Sequence, residues 1–168
     1  MELEDHLGGH GGLTHTDEGT LRWAIDKLNI TSMLDVGCGP GGMVELANQF
    51  GVNARGIDGD YTLTRYDENK FTIHDFTHGP APITDTYDLA WSVEFVEHVY
   101  EEYIPNYAKA MQQCKFLIMS YACVFWSCSF VRRQVPVKAL MGTGEVRVRA
   151  WDSTMNTQPE NLTWNPAA

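Results

Sequence analysis

The 168-residue sequence predicts an α/β fold: a doubly wound, mainly parallel sheet with helices on both faces and a shortened C-terminal part. Three observations predict it. Short apolar runs alternate with stretches of helical periodicity, the first run passes through a glycine-rich turn into a helix, and acidic residues close the first three runs. That alternation implies right-handed crossovers, and an open sheet of this kind gathers its ligand at the carboxyl ends of its strands.

The first fifteen residues hold four glycines and three histidines, His6, His10 and His15, with no hydrophobic period. They read as a flexible segment, either a tail or a lid over a site formed elsewhere; histidines on a glycine-rich stretch are not preorganised as metal ligands. Thr16 or Asp17 is placed to cap a helix through Leu21, Ala24, Ile25 and Leu28, whose spacing gives one apolar stripe. Met33 to Val36 reads as a strand and runs into Gly37-Cys38-Gly39-Pro40-Gly41-Gly42. Met43, Val44, Leu46 and Ala47 then follow at helical spacing.

The alternation continues with a strand over Asn53–Asp58, a short helix over Tyr61–Tyr66 and a strand over Lys70–Asp75. Tyr87–Val93 reads as the fourth strand, Glu94–Tyr103 as a helix stopped by Pro105, and Lys115–Tyr121 as the fifth strand. After that the pattern weakens. Glu145–Trp151 alternates like a strand with one polar face, and 152–168 is polar with two prolines and reads as a flexible tail. The expected organisation is therefore a segment over 1–15, one domain over 16–151 and a tail over 152–168.

With 12 basic against 22 acidic residues the formal charge is −10, so nucleic acid is disfavoured as a partner by repulsion of its phosphates. The four cysteines form no CxxC pair, which fits a reduced, cytoplasmic protein. The longest uncharged run, Phe116–Val131, is 16 residues and contains three serines, too short to span a bilayer, so no membrane partner is expected.

The chemistry concentrates at the strand ends. A glycine turn between strand and helix lets a ligand approach the backbone and meet the unpaired N–H groups of the helix start. Asp35 lies just before it, and Asp58 closes the second strand 23 residues later, where a carboxylate accepts both hydroxyls of a ribose. Asp75 ends the third strand, placed to hold an adenine edge while Phe76 packs on the ring.

These residues carry a resemblance. Leu34-Asp35-Val36-Gly37-Cys38-Gly39-Pro40-Gly41 resembles the first motif of the class I S-adenosylmethionine-dependent methyltransferases, and Gly56-Ile57-Asp58 resembles their second. The likeness covers about residues 16–122 and implies a Rossmann-like fold with S-adenosylmethionine as cofactor. It implies that Asp35, Gly37 and Gly39 meet the methionine part, Asp58 the ribose and Asp75 the adenine amine. Cys38, Gly41, Gly59, Phe76 and Glu94 fall beside these and complete the candidate cofactor-binding set. Cys38 reads as a small packing residue, since no base is tied to it by spacing.

The segment Trp91–Val99 lacks the Asn- or Asp-Pro-Pro-aromatic motif of amino-methylating DNA enzymes. Glu94-Phe95-Val96-Glu97-His98 is similar instead to the Glu-x-x-Glu-His signature of small-molecule O-methyltransferases and of small-RNA 3′-end methyltransferases. In a helix Glu94 and His98 share a face, with Glu97 beside them. His98, with Glu97, is the candidate catalytic pair, His98 acting as general base on a hydroxyl. Alternatively the three hold a divalent ion, although the further histidine of metal-using relatives has no counterpart after His98, so no metal ligand is assigned; or they are a solvated acidic face continued by Glu101 and Glu102.

The resemblance thus implies methyl transfer to a hydroxyl of a small-molecule acceptor. The 46 residues after Ala122 are fewer than the two further strands of such enzymes ask for. That shortness raises two further expectations, a homo-oligomer completing the fold and a non-catalytic cofactor-binding module. An NAD-binding enzyme using Asp58 on its ribose is the remaining alternative.

Overall fold

The computed structural model describes residues 3, 4, 6–8 and 12–120. Within them, five parallel strands form one sheet in the order β3-β2-β1-β4-β5: β1 Ser32–Val36, β2 Asn53–Asp58, β3 Phe71–Ile73, β4 Tyr87–Val93 and β5 Cys114–Ser120. Three α-helices flank it, α1 Glu18–Leu28, α2 Gly42–Gln49 and α3 Ile104–Met111. The expected strand over 145–151, the tail, and Cys123 and Cys128 lie outside the described residues. Cys38 and Cys114 are buried free thiols.

Strands buried on both faces must be apolar at successive positions, and β1 is. Met33 joins Leu21 and Ala24 of α1 and Met43, Val44 and Ala47 of α2 in one core. Leu34 and Val36 join Ile57 and the Tyr107, Ala108 and Met111 side of α3 in the other. Leu34 has no exposed surface, and a Leu→Ala change at such a site costs about 2–5 kcal/mol. Asp17 caps α1, its carboxylate accepting from the Thr20 amide at 2.8 Å, and Asn29 ends the helix in the left-handed conformation. At the amino ends of the strands Asp88 accepts from Thr31 N (2.8 Å) and Lys115 Nζ (2.7 Å), tying β4 to the entries of β1 and β5.

Four local expectations are corrected. Tyr61–Tyr66 is not a helix but a turn at Tyr61–Thr62 followed by irregular backbone, because the Asp60 carboxylate accepts from both the amide (2.8 Å) and hydroxyl (2.6 Å) of Thr62 in place of helical bonds. Glu94–Tyr103 is not one helix either. Two 3-10 turns, Val96–His98 and Glu101–Tyr103, are separated by extended backbone at Val99 and Tyr100. Packing overrides the helical pattern there: Glu94 leaves β4 with φ 54°, and Phe95, Val96 and Val99 are all drawn into the second core. Glu94 and His98 therefore do not share a helical face. Pro105 does not stop a helix but sits in the first turn of α3, where its missing N–H is no loss. The third strand also ends early, at Ile73, because Asp75 turns to cap the 3-10 turn Phe76–His78.

Candidate functional site

The loop after β1 is closed on β2 by two backbone bonds, from Gly37 N (2.9 Å) and Cys38 N (3.1 Å) to the Ile57 carbonyl. Gly37 (φ 79°) and Gly41 (φ 88°) adopt left-handed backbone, and a Cβ on Gly37 would overlap the Phe95 ring. The turn delivers the Gly39 amide to Asp58 Oδ2 at 2.7 Å, while Asp58 Oδ1 accepts from Asp60 N at 2.8 Å. Each oxygen keeps a lone pair for a ligand hydroxyl.

A cavity of about 530 Å³ opens here, a volume in the range of small-molecule and cofactor sites. It brings together Asp35, Gly37, Cys38, Gly39, Asp58, Gly59, Asp75, Phe76, Glu94, Glu97 and His98, from the carboxyl ends of β1, β2, β3 and β4. Gly41 is not among the lining residues; it caps α2, with the Phe71 ring where its Cβ would be. Phe76 presents to the cavity but is buried, its ring engaged with Phe95 (5.8 Å between centroids) and Tyr107 (6.3 Å). Glu94 Oε1 accepts from Ser120 Oγ at 2.9 Å, binding the end of β4 to the end of β5.

Among the described residues no lysine or arginine lines this wall, whereas five carboxyl groups do, so its field favours a cationic ligand. Burial, then the charge of Asp58, pushes the Asp35 carboxyl well above the usual carboxylate range. Burial and the charges of Asp35 and Asp58 likewise push the Cys38 thiol up, which keeps it protonated and unfit as a nucleophile. At Asp75 burial pushes upward, but bonds from Thr77 and His6 outweigh it and hold the carboxyl low.

Of the two readings of the amino-terminal segment, the lid fits its described residues: His6 Nε2 is 3.1 Å from Asp75 Oδ2, Leu7 packs on Gly59, and Thr14 Oγ1 accepts from Gly42 N at 3.2 Å, all at the cavity. The individual contacts are not announced by a glycine-rich stretch, and sequence reasoning missed them. Arg65, behind the loop, was also missed; the one available signal was a lone base in an acidic stretch after the second motif. Among the described residues, Glu4, His6 and Asp75 bring three ligand atoms within 4.8 Å of one another. The two nitrogens of His6 face opposite partners, Glu4 at 3.5 Å and Asp75 at 3.1 Å, the arrangement of an imidazole bridging two carboxylates.

Residues 34–118 match the methyltransferase domain family. The chain belongs to that family. Its fold is that of the S-adenosylmethionine-dependent methyltransferases, and its cofactor is S-adenosylmethionine; the cationic donor, its ribose and its adenine suit the acidic cavity and the two strand-end carboxylates. Among solved structures, the methyltransferase domain of bacterial CtHen1-CN shares the fold at 17% identity and a TM-score of 0.53, over 82% of this chain and 91% of that one.

A second match overlaps the end of the methyltransferase domain and runs beyond it. Residues 89–167 match the Mo-co oxidoreductase dimerisation domain. Over 41 residues the chain is 54% identical to the NADH nitrate reductase of Lotus japonicus and to nitrate reductase 2 of Phaseolus vulgaris, 24% of this chain but 5% of either relative. Where the two matches overlap, β4 and β5 pair in parallel with each other and β4 with β1, as parts of the methyltransferase sheet. From residue 121 the second match falls outside the described residues. No helix among the described residues is long and apolar enough to cross a membrane.

Proposed function

We propose that the chain transfers a methyl group from S-adenosylmethionine to a hydroxyl of a small-molecule acceptor. The observation that carries this reading is the convergence of Gly37, Cys38 and Gly39 of the glycine loop, Asp58 and Asp75 on one cavity whose lining also includes Glu97 and the exposed His98. The cofactor supplies a methyl group already activated on a sulfonium, so the protein's task is alignment and exclusion of water. Asp58 orients the ribose, Asp75 the adenine amine and the glycine loop the methionine part. His98 takes the hydroxyl proton as the methyl group passes to oxygen, and Glu97 beside it favours the imidazolium that results.

Calorimetric titration with S-adenosylmethionine and S-adenosylhomocysteine, with NAD as control, tests the site. Micromolar binding of the first two, lost in Asp58→Ala, supports it; binding of NAD alone would overturn it. An acceptor screen over phenols and other hydroxyl compounds then reads S-adenosylhomocysteine release, and turnover lost in His98→Ala supports the assigned base.

A second reading has its own observation, the match of residues 89–167 to a dimerisation domain. In it the chain binds the cofactor as a non-catalytic module of a homo-oligomer. A dimer by sedimentation, with cofactor binding but no turnover on any acceptor, favours this reading over the first.

A further inference from the structure

We infer that Arg65 is a positioning residue for the cofactor: held behind the glycine loop, it fixes the Gly39 peptide and through it the Asp58 carboxylate. The inference rests on the cofactor reading above. The Arg65 side chain is 1% exposed, in a chain with 12 basic residues and abundant surface acids to pair them with. A buried guanidinium is costly unless its donors are used, so its location calls for an explanation.

Its donors converge on the loop. Nε donates to the Gly39 carbonyl at 3.1 Å, Nη2 donates to the Asp60 carbonyl at 3.0 Å, and Nη2 lies 3.6 Å from Asp58 Oδ1. Nη1 is buried and has no hydrogen-bond partner among the described residues. The guanidinium carbon stands 5.4 Å from the centre of the Phe71 ring, the same ring that fills the space at Gly41. Arg65 thus touches the loop, the acid and the aromatic floor together.

The Gly39 residue is gripped from both sides. Its N–H donates to Asp58 Oδ2, and its C=O accepts from Arg65. Gly39 has φ 51°, and with no side chain to restrict its φ and ψ, the two peptide units that meet at its Cα are held by these two bonds; loss of the Arg65 bond frees those dihedrals and lets the N–H withdraw from Asp58. The carboxylate then loses one of the two amide bonds that aim it at the ribose. A planar fork that reaches two carbonyls at once is a task for arginine; an ammonium supplies the charge without that geometry.

The test is a set of variants, Arg65→Met, Arg65→Lys, Asp58→Asn and Asp58→Asn/Arg65→Met, each titrated with S-adenosylhomocysteine and followed in thermal unfolding. Arg65→Met is expected to weaken binding by about 10-fold, or about 1.4 kcal/mol, and Arg65→Lys by a few-fold. In the Asp58→Asn background Arg65→Met is expected to weaken binding little further, because its effect travels through that carboxylate. A residue serving only the fold would lower the melting temperature and give additive losses. If Arg65→Met unfolds, Arg65→Lys decides alone. A folded Arg65→Lys with parental affinity overturns the inference, as do additive losses in the cycle. A folded parent that binds no S-adenosylhomocysteine instead overturns the cofactor reading, and this inference falls with it.

Discussion

His6 Nε2 lies 3.1 Å from Asp75 Oδ2, across 69 residues of sequence, so the amino-terminal segment holds the carboxylate assigned to the adenine amine. Among the described residues, Glu4 lies 3.5 Å from His6 Nδ1, His78 Nδ1 lies 3.5 Å from Asp75 Oδ2, and the Tyr103 hydroxyl feels the charge of Asp75. A ligand that uses Asp75 must displace or share the imidazole.

His6→Ala is therefore expected to strengthen S-adenosylhomocysteine binding by about 3- to 10-fold, because the imidazole no longer competes for the carboxylate. Calorimetric titration of parent and variant checks it. Weaker binding in the variant would instead make His6 part of the cofactor's own surroundings.

Asp35 offers a separation of stability from function. Its folded-state pKa is raised by burial and by Asp58, so folding takes up a proton and stability falls as pH rises from the unfolded value of 3.8 toward the folded one. Asp35→Asn removes that penalty. Urea midpoints are expected to favour the variant at pH 8 and to converge with the parent near pH 3, while cofactor affinity drops about 10-fold or more from loss of the carboxylate. Equal midpoints at both pH values would mean that Asp35 is not desolvated as described.

Gly37→Ala puts a methyl group into the Phe95 ring at a backbone φ of 79°. Left-handed backbone alone costs an alanine about 1–2 kcal/mol, and the ring must move as well. A loss of at least about 2 kcal/mol in unfolding free energy is expected. Gly37→Ala/Phe95→Ala should recover only part of it, because the backbone cost stays; full recovery would assign the whole loss to the clash.

The strand ends were the legible part of this sequence. Asp35 and Asp58 sit on runs whose period or apolar content announces a strand, Asp75 follows two residues past the end of β3, and an open parallel sheet gathers such ends at one edge regardless of detail. The bounds of β2 and β4 follow from sequence for the same reason. Tyr61–Tyr66 and Glu94–Tyr103 were misread because their spacing matches a helix while Asp60 and the packing of Phe95, Val96 and Val99 dictate turns. The contacts of His6 and Arg65 were not legible at all, since each joins residues far apart through geometry that no local pattern encodes.

Asp88 lies at the opposite end of the sheet and tests the scaffold without touching the site. Its carboxyl is held far below the usual range, first by Lys115 and then by the Thr31 amide and hydroxyl. A depressed folded-state pKa contributes stability that is present above the unfolded value and lost only as pH falls through the folded one. Asp88→Ala removes the bonds to Thr31, Ser32 and Lys115 together, and leaves the amides of Thr31 and Ser32 without that acceptor. A loss of about 1–3 kcal/mol at pH 7 is expected, persisting at pH 4 and closing only in stronger acid, with S-adenosylhomocysteine affinity unchanged in the folded variant. Equilibrium urea unfolding across pH 2–7 reads the gap. A gap already closed at pH 5 would show that the ion pair with Lys115 does not depress Asp88 in solution.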